Sequence, residues 1–255
     1  MRRMPRRFAS PRFLASRLDA EIALPTGDRE RFNGYGVMGL PFASGHVLAL
    51  RRFAAASIGP GYTSVWHRTP QGHWPFYADV EPHLACTRYF GRAVDRVRVS
   101  DIRLEWIGPQ SFIIAIPEAQ LEWSVELSST PATRALNLAG ELLPDGLWRN
   151  RLVLSLMGRI AGRALDIGSV GLHGQAPNGQ SFIANPRILW VVESSSAVYE
   201  GEDLGPPGPL GQQTQLGDFW IPNRGVFAFG QAYFEPFDAV KHARATSREV
   251  ELSMS

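Results

Sequence analysis

The feature that most constrains the fold is a series of short segments in which apolar and polar residues alternate. The clearest is LEWSVEL, residues 121–127, where leucine, tryptophan and valine alternate with glutamate and serine. Successive side chains of a β-strand point to opposite faces of a sheet. This segment therefore predicts a strand with one apolar face and one solvated face.

Similar segments recur along most of the chain. They are short, rich in β-branched and aromatic residues, and separated by glycine or proline. They cover residues 46–53, 62–68, 73–80, 97–106, 111–116, 187–193, 197–201 and 225–237. A hairpin is predicted over residues 170–184, turning at residues 177–179. The pattern predicts a mainly β domain, an antiparallel barrel-like or sandwich (lipocalin-like) fold, because alternation is the same in both architectures.

One segment has the period of a helix instead. Between residues 147 and 165, apolar residues such as Leu156 and Ile160 recur on one face, while arginines fall off it. Asp145 stands before this run, as a helix N-cap would. The pattern predicts one long helix near residues 145–166 that covers the sheet, with Gly158 and Gly162 allowing close approach. The expected organisation is a basic arm and lead-in over residues 1–30, a single mostly-β domain over 31–240 and a polar tail over 241–255.

The charge distribution limits the partners. The chain has a formal net charge of +2, but six arginines and no acid lie in its first 17 residues, so the remainder is mildly acidic. A nucleic-acid-binding domain would carry its basic patch on the fold itself. No apolar run reaches the ~18 residues of a membrane span, and no secretory signal is evident. We expect no nucleic-acid partner, no integral membrane association and a cytoplasmic location; the oligomeric state stays open.

Several classes of chemistry lack their sequence signatures. No nucleotide-binding loop, nucleophile elbow or metalloprotease motif is present. The glycine-rich residues 34–39 lie among extended residues and predict a bend. Cys86 is the only cysteine, which excludes a thiolate metal cluster, and the only lysine, Lys241, lies near the C-terminus, which argues against Schiff-base catalysis. We therefore expect no cofactor and no metal.

The most histidine-rich stretch surrounds a predicted turn at residues 69–72. If these four residues form the turn, His67 faces Trp74 across the ladder and shares its face with Phe76. In this register His67 and His73 point to opposite faces and cannot share a metal ion. A slip of one residue would reverse the faces.

These positions give a candidate site. A histidine on an apolar face is either a core residue whose nitrogens are satisfied by neighbours or, if the face lines a cavity, a polar contact or a general acid or base. His67 is the first catalytic candidate and Asp79 the second. The candidate ligand-binding residues are Trp74, Phe76, Trp106, Trp123, Arg88 and Tyr89.

Part of the chain resembles a known family. The segments GYTSVWHR, VSDIRLEWIGPQSFIIAI and LEWSVEL are similar to the N-terminal part of lipocalin-like proteins that include carotenoid 1,2-hydratases. Residues 66–68 correspond to a W-x-R-like strand and residues 106–108 to a W-x-G hairpin turn, and the resemblance covers about a third of the chain. It implies an apolar cavity for an isoprenoid-like molecule and, in some members, acid-catalysed water addition without a cofactor. The chain departs from that family in its short length and its long helix.

Three functional hypotheses follow. The first is binding of a hydrophobic small molecule in an apolar cavity lined by strands. The second is a cofactor-independent lyase, hydratase or isomerase in which His67 or a nearby carboxylate moves a proton. The third is a structural or interaction module whose aromatic residues only form the core.

Overall fold

The computed structural model describes residues 9–238 and 240–242. Most of the predicted basic arm, residues 1–8, and most of the predicted polar tail, residues 243–255, lie outside the described residues. The α-helices are α1 (Pro11–Ala20), α2 (Thr87–Phe90), α3 (Pro131–Leu142) and α4 (Arg151–Ala164). Single turns of 3-10 helix cover Pro82–Leu84, Gly91–Ala93, Pro117–Ala119 and Asp145–Arg149.

The strands make up most of the regular structure. They are β1 (Glu30–Val37), β2 (Leu40–Pro41), β3 (Val47–Ala56), β4 (Tyr62–Arg68), β5 (Pro75–Ala78), β6 (Arg96–Val99), β7 (Arg103–Trp106), β8 (Ser111–Ile116), β9 (Leu121–Ser128), β10 (His173–Gln175), β11 (Ser181–Tyr199), β12 (Glu202–Asp203), β13 (Gln215–Leu216), β14 (Phe219–Trp220) and β15 (Val226–Phe234). The main sheet has the order β6-β5-β4-β3-β1-β15-β11-β9-β8-β7, and β13 pairs with β14 apart from it. Neighbours are antiparallel except β5 and β6. The prediction of a mainly β, antiparallel fold is confirmed.

The main sheet is strongly curled. The hydroxyl oxygens of Tyr77 in β5 and Tyr199 in β11 are 3.5 Å apart, although four strands separate β5 from β11 in the sheet. In a flat sheet that separation would be about 24 Å, since neighbouring strands lie about 4.8 Å apart. The rings of Tyr35 in β1 and Trp106 in β7 also meet, at 6.4 Å between centroids. The sheet therefore bends into a half-barrel, and we call the face that carries these four rings the inner face.

The inner face holds a densely packed core. It collects large apolar side chains from strands at both ends of the sheet, such as Leu50, Val65, Trp123 and Phe227. Helix α1 covers one end of it, where Asp19 accepts hydrogen bonds from the Tyr35 hydroxyl and from Nε of Arg52, both at 3.1 Å. The predicted lead-in thus contains a helix that closes the core.

The opposite, outer face carries a second aromatic cluster. Its main members are Phe32, Tyr62, Trp66, Trp74, Phe76, Tyr89, Phe90, Phe182 and Phe234. Helix α3 lies beside a part of β11 whose edge has no strand paired with it. There the Asn137 side chain exchanges two hydrogen bonds with the Leu189 backbone, at 3.0 and 2.8 Å. Leu165, at the end of α4, packs with Val191 and Val226 of the sheet. The helices therefore cover part of the outer face.

Helix α4 corrects the predicted helix near 145–166. Its N-cap is Asn150, whose side-chain oxygen accepts the backbone N–H groups of residues 152 and 153 at 2.9 and 3.3 Å, so Asp145 belongs to a separate 3-10 turn. The predicted apolar face is not the buried one, because Leu156 and Ile160 are exposed. The helix instead packs through Gly158 and Gly162, where an added Cβ would lie 2.7 Å and 2.4 Å from backbone oxygens of the segment 168–170.

Other boundaries also differ from prediction. Residues 97–106 divide into β6 and β7, whereas the two segments predicted over 187–201 join into the single bent strand β11. Helix α3 was not predicted, although Thr130 and Thr133 form a reciprocal capping box at its start. The hairpin predicted over 170–184 is confirmed, since β10 pairs with the beginning of β11.

Candidate ligand cavity

A cavity of about 290 Å³ lies between the outer face of the sheet and helices α3 and α4. Its walls are almost entirely apolar. The sheet side includes Phe32, Tyr62, Trp66, Phe90, Phe182 and Phe234, and the helix side includes Leu136, Gly140, Met157, Ile160, Ala161 and Leu165. At roughly 30 Å³ for each water-sized group, the space suits a molecule of about ten non-hydrogen atoms.

Small residues in the central strands leave this space open. The lining from β1, β11 and β15 includes Gly34, Ala184, Ala228, Gly230 and Ala232. Two of these glycines cannot be replaced without moving backbone: an added Cβ would lie 2.1 Å from the Arg52 oxygen at Gly34 and 2.3 Å from the Asn185 oxygen at Gly230. Close strand contact thus fixes small residues where larger ones would fill the cavity.

Arg51 is the buried cation of the cavity wall. Its side chain comes from β3, and the residue is only 6% exposed. The guanidinium donates to the carbonyl oxygens of Val37, Leu50 and Met38 and lies 4.6 Å from the centre of the Trp66 ring. Burial lowers the pKa of Arg51 to about 10, so the group is still a cation at neutral pH.

The lone cysteine lies beside this arginine. The Tyr62 hydroxyl is 3.3 Å from the sulfur of Cys86, and the Ser64 hydroxyl donates to the same sulfur at 3.6 Å. Burial raises the pKa of the Cys86 thiol, although the hydrogen bonds from Tyr62 and Ser64 and the charge of Arg51 oppose this. Cys86 is therefore a thiol at neutral pH and a poor nucleophile.

Two polar atoms of lining residues are buried without a hydrogen-bond partner among the described residues. They are Oδ1 of Asn185 and the indole nitrogen of Trp148. Asn185 is only 1% exposed. Buried polar groups are normally paired, and an unpaired one costs about 1–3 kcal/mol. These atoms have almost no accessible surface, so they are buried behind the cavity wall and do not face the open space.

The predicted register of the β4–β5 hairpin is wrong by one residue. Trp66 pairs with Phe76, because the turn is closed by a hydrogen bond from Thr69 N to His73 O and its last residue, Gly72, has a φ of 93°. A left-handed glycine allows this shorter loop. The slip places His67 on the inner face, opposite the aromatic residues that were predicted to share its face.

His67 forms a buried pair in the inner core. Its Nε2 is 2.7 Å from Nδ1 of His46, its ring lies 4.3 Å from that of Tyr199, and its Nδ1 has no hydrogen-bond partner among the described residues. Burial, with a smaller contribution from His46, lowers the pKa of His67 to about 3. His67 is neutral at physiological pH, and it does not line the cavity.

The other predicted site residues are dispersed. Asp79 is exposed and accepts the backbone N–H of Thr63 at 2.8 Å. The indoles of Trp106 and Trp123 belong to the inner core. Trp74 and Phe76 lie on the outer face, in the same aromatic cluster as several cavity residues, but they do not line the cavity.

Two predicted residues lie next to each other at one side of the cavity. Arg88 Nη2 is 2.8 Å from a carboxylate oxygen of Glu30, and the Tyr89 hydroxyl donates to Glu30 at 2.6 Å. Burial raises the pKa of Glu30, but the hydrogen bonds from Arg88 and Tyr89 lower it more, so the net pKa is below the usual value. Of the eight predicted site residues, Tyr89 is the one that lines the cavity.

Arg51 was not predicted, although the sequence contains a signal for it. Arg51 and Arg52 interrupt an otherwise apolar strand, HVLALRRFAAA. Adjacent strand residues point to opposite faces, so one arginine must enter whichever face is covered. The two arginines do separate in this way: Arg52 reaches Asp19 at the inner face, and Arg51 enters the cavity wall.

No cluster of metal ligands accompanies the cavity. Across residues 9–238 and 240–242, no three or more histidine, cysteine, aspartate or glutamate side chains are grouped so that they could hold a metal ion. None of the described helices combines the length and the apolar character that crossing a membrane requires.

Comparisons with known proteins add little to this description. No family model matches the chain, and no curated protein matches it; the resemblance to carotenoid hydratases gains no support from them. One similar solved structure is acetoacetate decarboxylase from Legionella pneumophila subsp. pneumophila str. Philadelphia 1, with 10% identity, a TM-score of 0.38, and coverage of 87% of this chain and 95% of that one. At this TM-score the similarity carries no argument about the function of this chain.

Proposed function

We propose that this protein binds a small hydrophobic molecule in the cavity between the sheet and helices α3 and α4. The observation that carries the proposal is the apolar space of about 290 Å³ itself. Its size suits an isoprenoid of about ten carbons or a bicyclic aromatic compound. Binding would bury apolar ligand surface at a gain of roughly 25 cal/mol for each Å² removed from water.

The aromatic walls support an apolar ligand in particular. The rings of Trp66, Phe90 and Phe219 meet one another at 4.8 to 6.0 Å between centroids. These rings hold each other in place, so the wall that they form keeps its shape without rearrangement. A preorganised pocket loses little conformational entropy on binding.

The test is a titration with a neutral fluorescent probe, naphthalenemethanol, monitored by its emission. Ala161 lies on α4 in the cavity wall, so the substitution Ala161→Phe fills the space from the helix side. Leu152→Phe enlarges a residue of the same helix that is 81% exposed and serves as the matched control. We expect one saturable site in the wild type and in Leu152→Phe, and its loss in Ala161→Phe. Equal binding by all three proteins, or no saturable binding by the wild type, would refute the proposal.

A second candidate is a cofactor-independent lyase or isomerase acting in the same cavity. It is favoured by the grouping of three titratable side chains, Arg51, Tyr62 and Cys86, in one wall. Burial raises the pKa of Tyr62 well above its usual value, so its hydroxyl keeps its proton at neutral pH. Incubation of cavity-bound compounds with wild type and Tyr62→Phe, followed by mass spectrometry, tests this. A proton-transfer enzyme would lose turnover by orders of magnitude in Tyr62→Phe while keeping affinity, whereas a binding protein would yield unchanged compounds.

A further inference from the structure

We infer that the ligand of this cavity is an amphipathic acid, with a carboxylate held by the guanidinium of Arg51 and an apolar body against the aromatic walls. This rests on the proposed function and narrows it from hydrophobic molecules in general to those with an anionic head group.

The guanidinium of Arg51 does not use all of its hydrogen-bond donors within the described protein. A guanidinium has five N–H donors. Nη1 donates to the carbonyls of Val37 and Leu50, and Nη2 donates once, to Met38 at 3.2 Å. Nε and the second N–H of Nη2 have no partner among the described residues. Two adjacent N–H groups of a guanidinium, one on Nε and one on Nη, match the two oxygens of a carboxylate.

The charge of Arg51 is also uncompensated. None of the ion pairs between described residues includes it. Its titratable neighbours, Cys86 and Tyr62, both have raised pKa values and are neutral at physiological pH. Burying a charge without a counter-ion is costly. A ligand carboxylate would supply the missing counter-ion, so the site favours anions over neutral molecules of the same shape.

Two other arginines near the cavity do have an acidic partner that balances their charge. Arg187 also lines the cavity, but its guanidinium lies 3.0 Å from a carboxylate oxygen of Asp145. Arg88 is paired with Glu30. Arg51 is more deeply buried than either of them, yet no acidic residue of the described part of the chain is paired with it. The contrast identifies Arg51, and not Arg187, as the anion receptor of the cavity.

The surroundings of Arg51 define the rest of the ligand. The guanidinium lies between the rings of Trp66, at 4.6 Å, and Phe219, at 5.3 Å. An acid bound here would therefore place its head group among aromatic rings, with its body along the apolar walls. Short aromatic or terpenoid carboxylic acids fit this description.

The experiment compares three compounds that differ only in the head group: naphthoate, naphthalenemethanol and naphthylmethylamine, all substituted at the same ring position. Their dissociation constants are measured at fixed pH and salt. We expect naphthoate to bind at least about tenfold more tightly than the alcohol, because charge-assisted hydrogen bonds are stronger than neutral ones, and the amine to bind most weakly. Arg51→Met should remove the advantage of the acid over the alcohol, while Arg187→Met should keep it.

The outcomes separate the two claims. If the alcohol binds but the acid binds no better, or if Arg51→Met keeps the preference for the acid, the inference is wrong and the proposed function stands. If none of the three compounds binds, the proposed function fails with it. Should Arg51→Met not fold, Arg51→Lys keeps the charge without the planar fork, and a reduced but persistent preference for the acid supports the inference. An unchanged preference in Arg51→Lys together with a lost preference in Arg187→Met would overturn it.

Discussion

The two faces of the curled sheet use the same strands in different ways. On the inner face, Leu50 and Val65 pack into a core that the curl closes from several sides. On the outer face, glycines and alanines of the central strands lie opposite two helices and leave a cavity. The buried polar groups differ accordingly: His67 is neutral and paired with His46, whereas Arg51 is charged and has no acidic partner among the described residues. The inner face thus forms a closed core, and the outer face is the one to which we assign ligand binding in our proposal.

The largest expected difference between the faces is in the cost of removing an aromatic ring. Phe112 is fully buried on the inner face, 4.9 Å from the Trp106 ring, whereas Phe90 borders the cavity. We expect Phe112→Ala to lower the free energy of unfolding by about 3–5 kcal/mol. Phe90→Ala should cost about 1–2 kcal/mol less, because part of its ring already lacks contact atoms.

Chemical denaturation of the two variants measures this difference. Both variants remove the same atoms, so the transfer free energy of the lost ring is the same in each. The difference between their free energies of unfolding therefore reports how tightly each ring is packed. If Phe90→Ala lowers the free energy of unfolding as much as Phe112→Ala or more, the outer face is packed as tightly as the inner one. That result would contradict the proposed difference between the two faces.

A smaller effect concerns pH and belongs to the inner face. The ordinary pKa of His67 is 6.5 and burial lowers it to about 3 in the folded protein. Below about pH 6.5 His67 is protonated in the unfolded chain but stays neutral in the folded protein. The free energy of unfolding therefore decreases as the pH falls from about 6.5 towards 3. Between pH 7 and pH 5 this accounts for about 2 kcal/mol. His67→Gln should reduce the acid-dependent loss by that amount.

The matched control for this measurement is His73→Gln, since the His73 side chain is 67% exposed. Between pH 7 and pH 5 its stability should differ less from that of the wild type than the stability of His67→Gln does, because folding does not bury the His73 ring. If His67→Gln also follows the wild type, His67 is protonated in the folded protein, and the inner core is more hydrated than its packing indicates.

The smallest effect is expected at the Asp145–Arg187 pair beside the cavity. The Asp145 side chain is 92% exposed, and exposed ion pairs contribute about 0–1 kcal/mol. Asp145→Asn should therefore change the free energy of unfolding by less than about 0.5 kcal/mol, as judged by urea denaturation. A decrease of more than about 1 kcal/mol in the free energy of unfolding would contradict this. It would show that the Asp145–Arg187 pair contributes as much stability as a buried ion pair.

Much of the fold could be predicted from local pattern. The predicted strands over residues 62–68 and 111–116 match β4 and β8. The alternation of β8 reflects one buried and one half-buried face, whereas β4 is buried on both faces and was recognised by its β-branched and aromatic residues. Helix α3 escaped prediction because its buried residues are Thr133, Asn137 and Gly140, and not large apolar side chains. The buried face of α4 was mistaken because glycines, not large apolar residues, make its contacts.

The candidate site was harder to predict because it depends on register and curvature. A loop shorter by one residue moved His67 to the face opposite Trp74, and no local pattern distinguishes the two registers. The cavity arises where strands distant in sequence place small residues under two helices. Arg51 could be suspected from its place in an apolar strand, but whether it has an acid partner depends on the whole fold.

The most direct test of the difference between the two faces is a crystal structure determined under xenon pressure. Xenon enters apolar cavities and is located by its scattering. We expect a xenon atom between the outer face and α4, near Met157 and Ala161, and none around His67 in the inner core. Xenon bound only within the inner core, or absent from the outer cavity, would contradict the assignment of the outer face as the binding site.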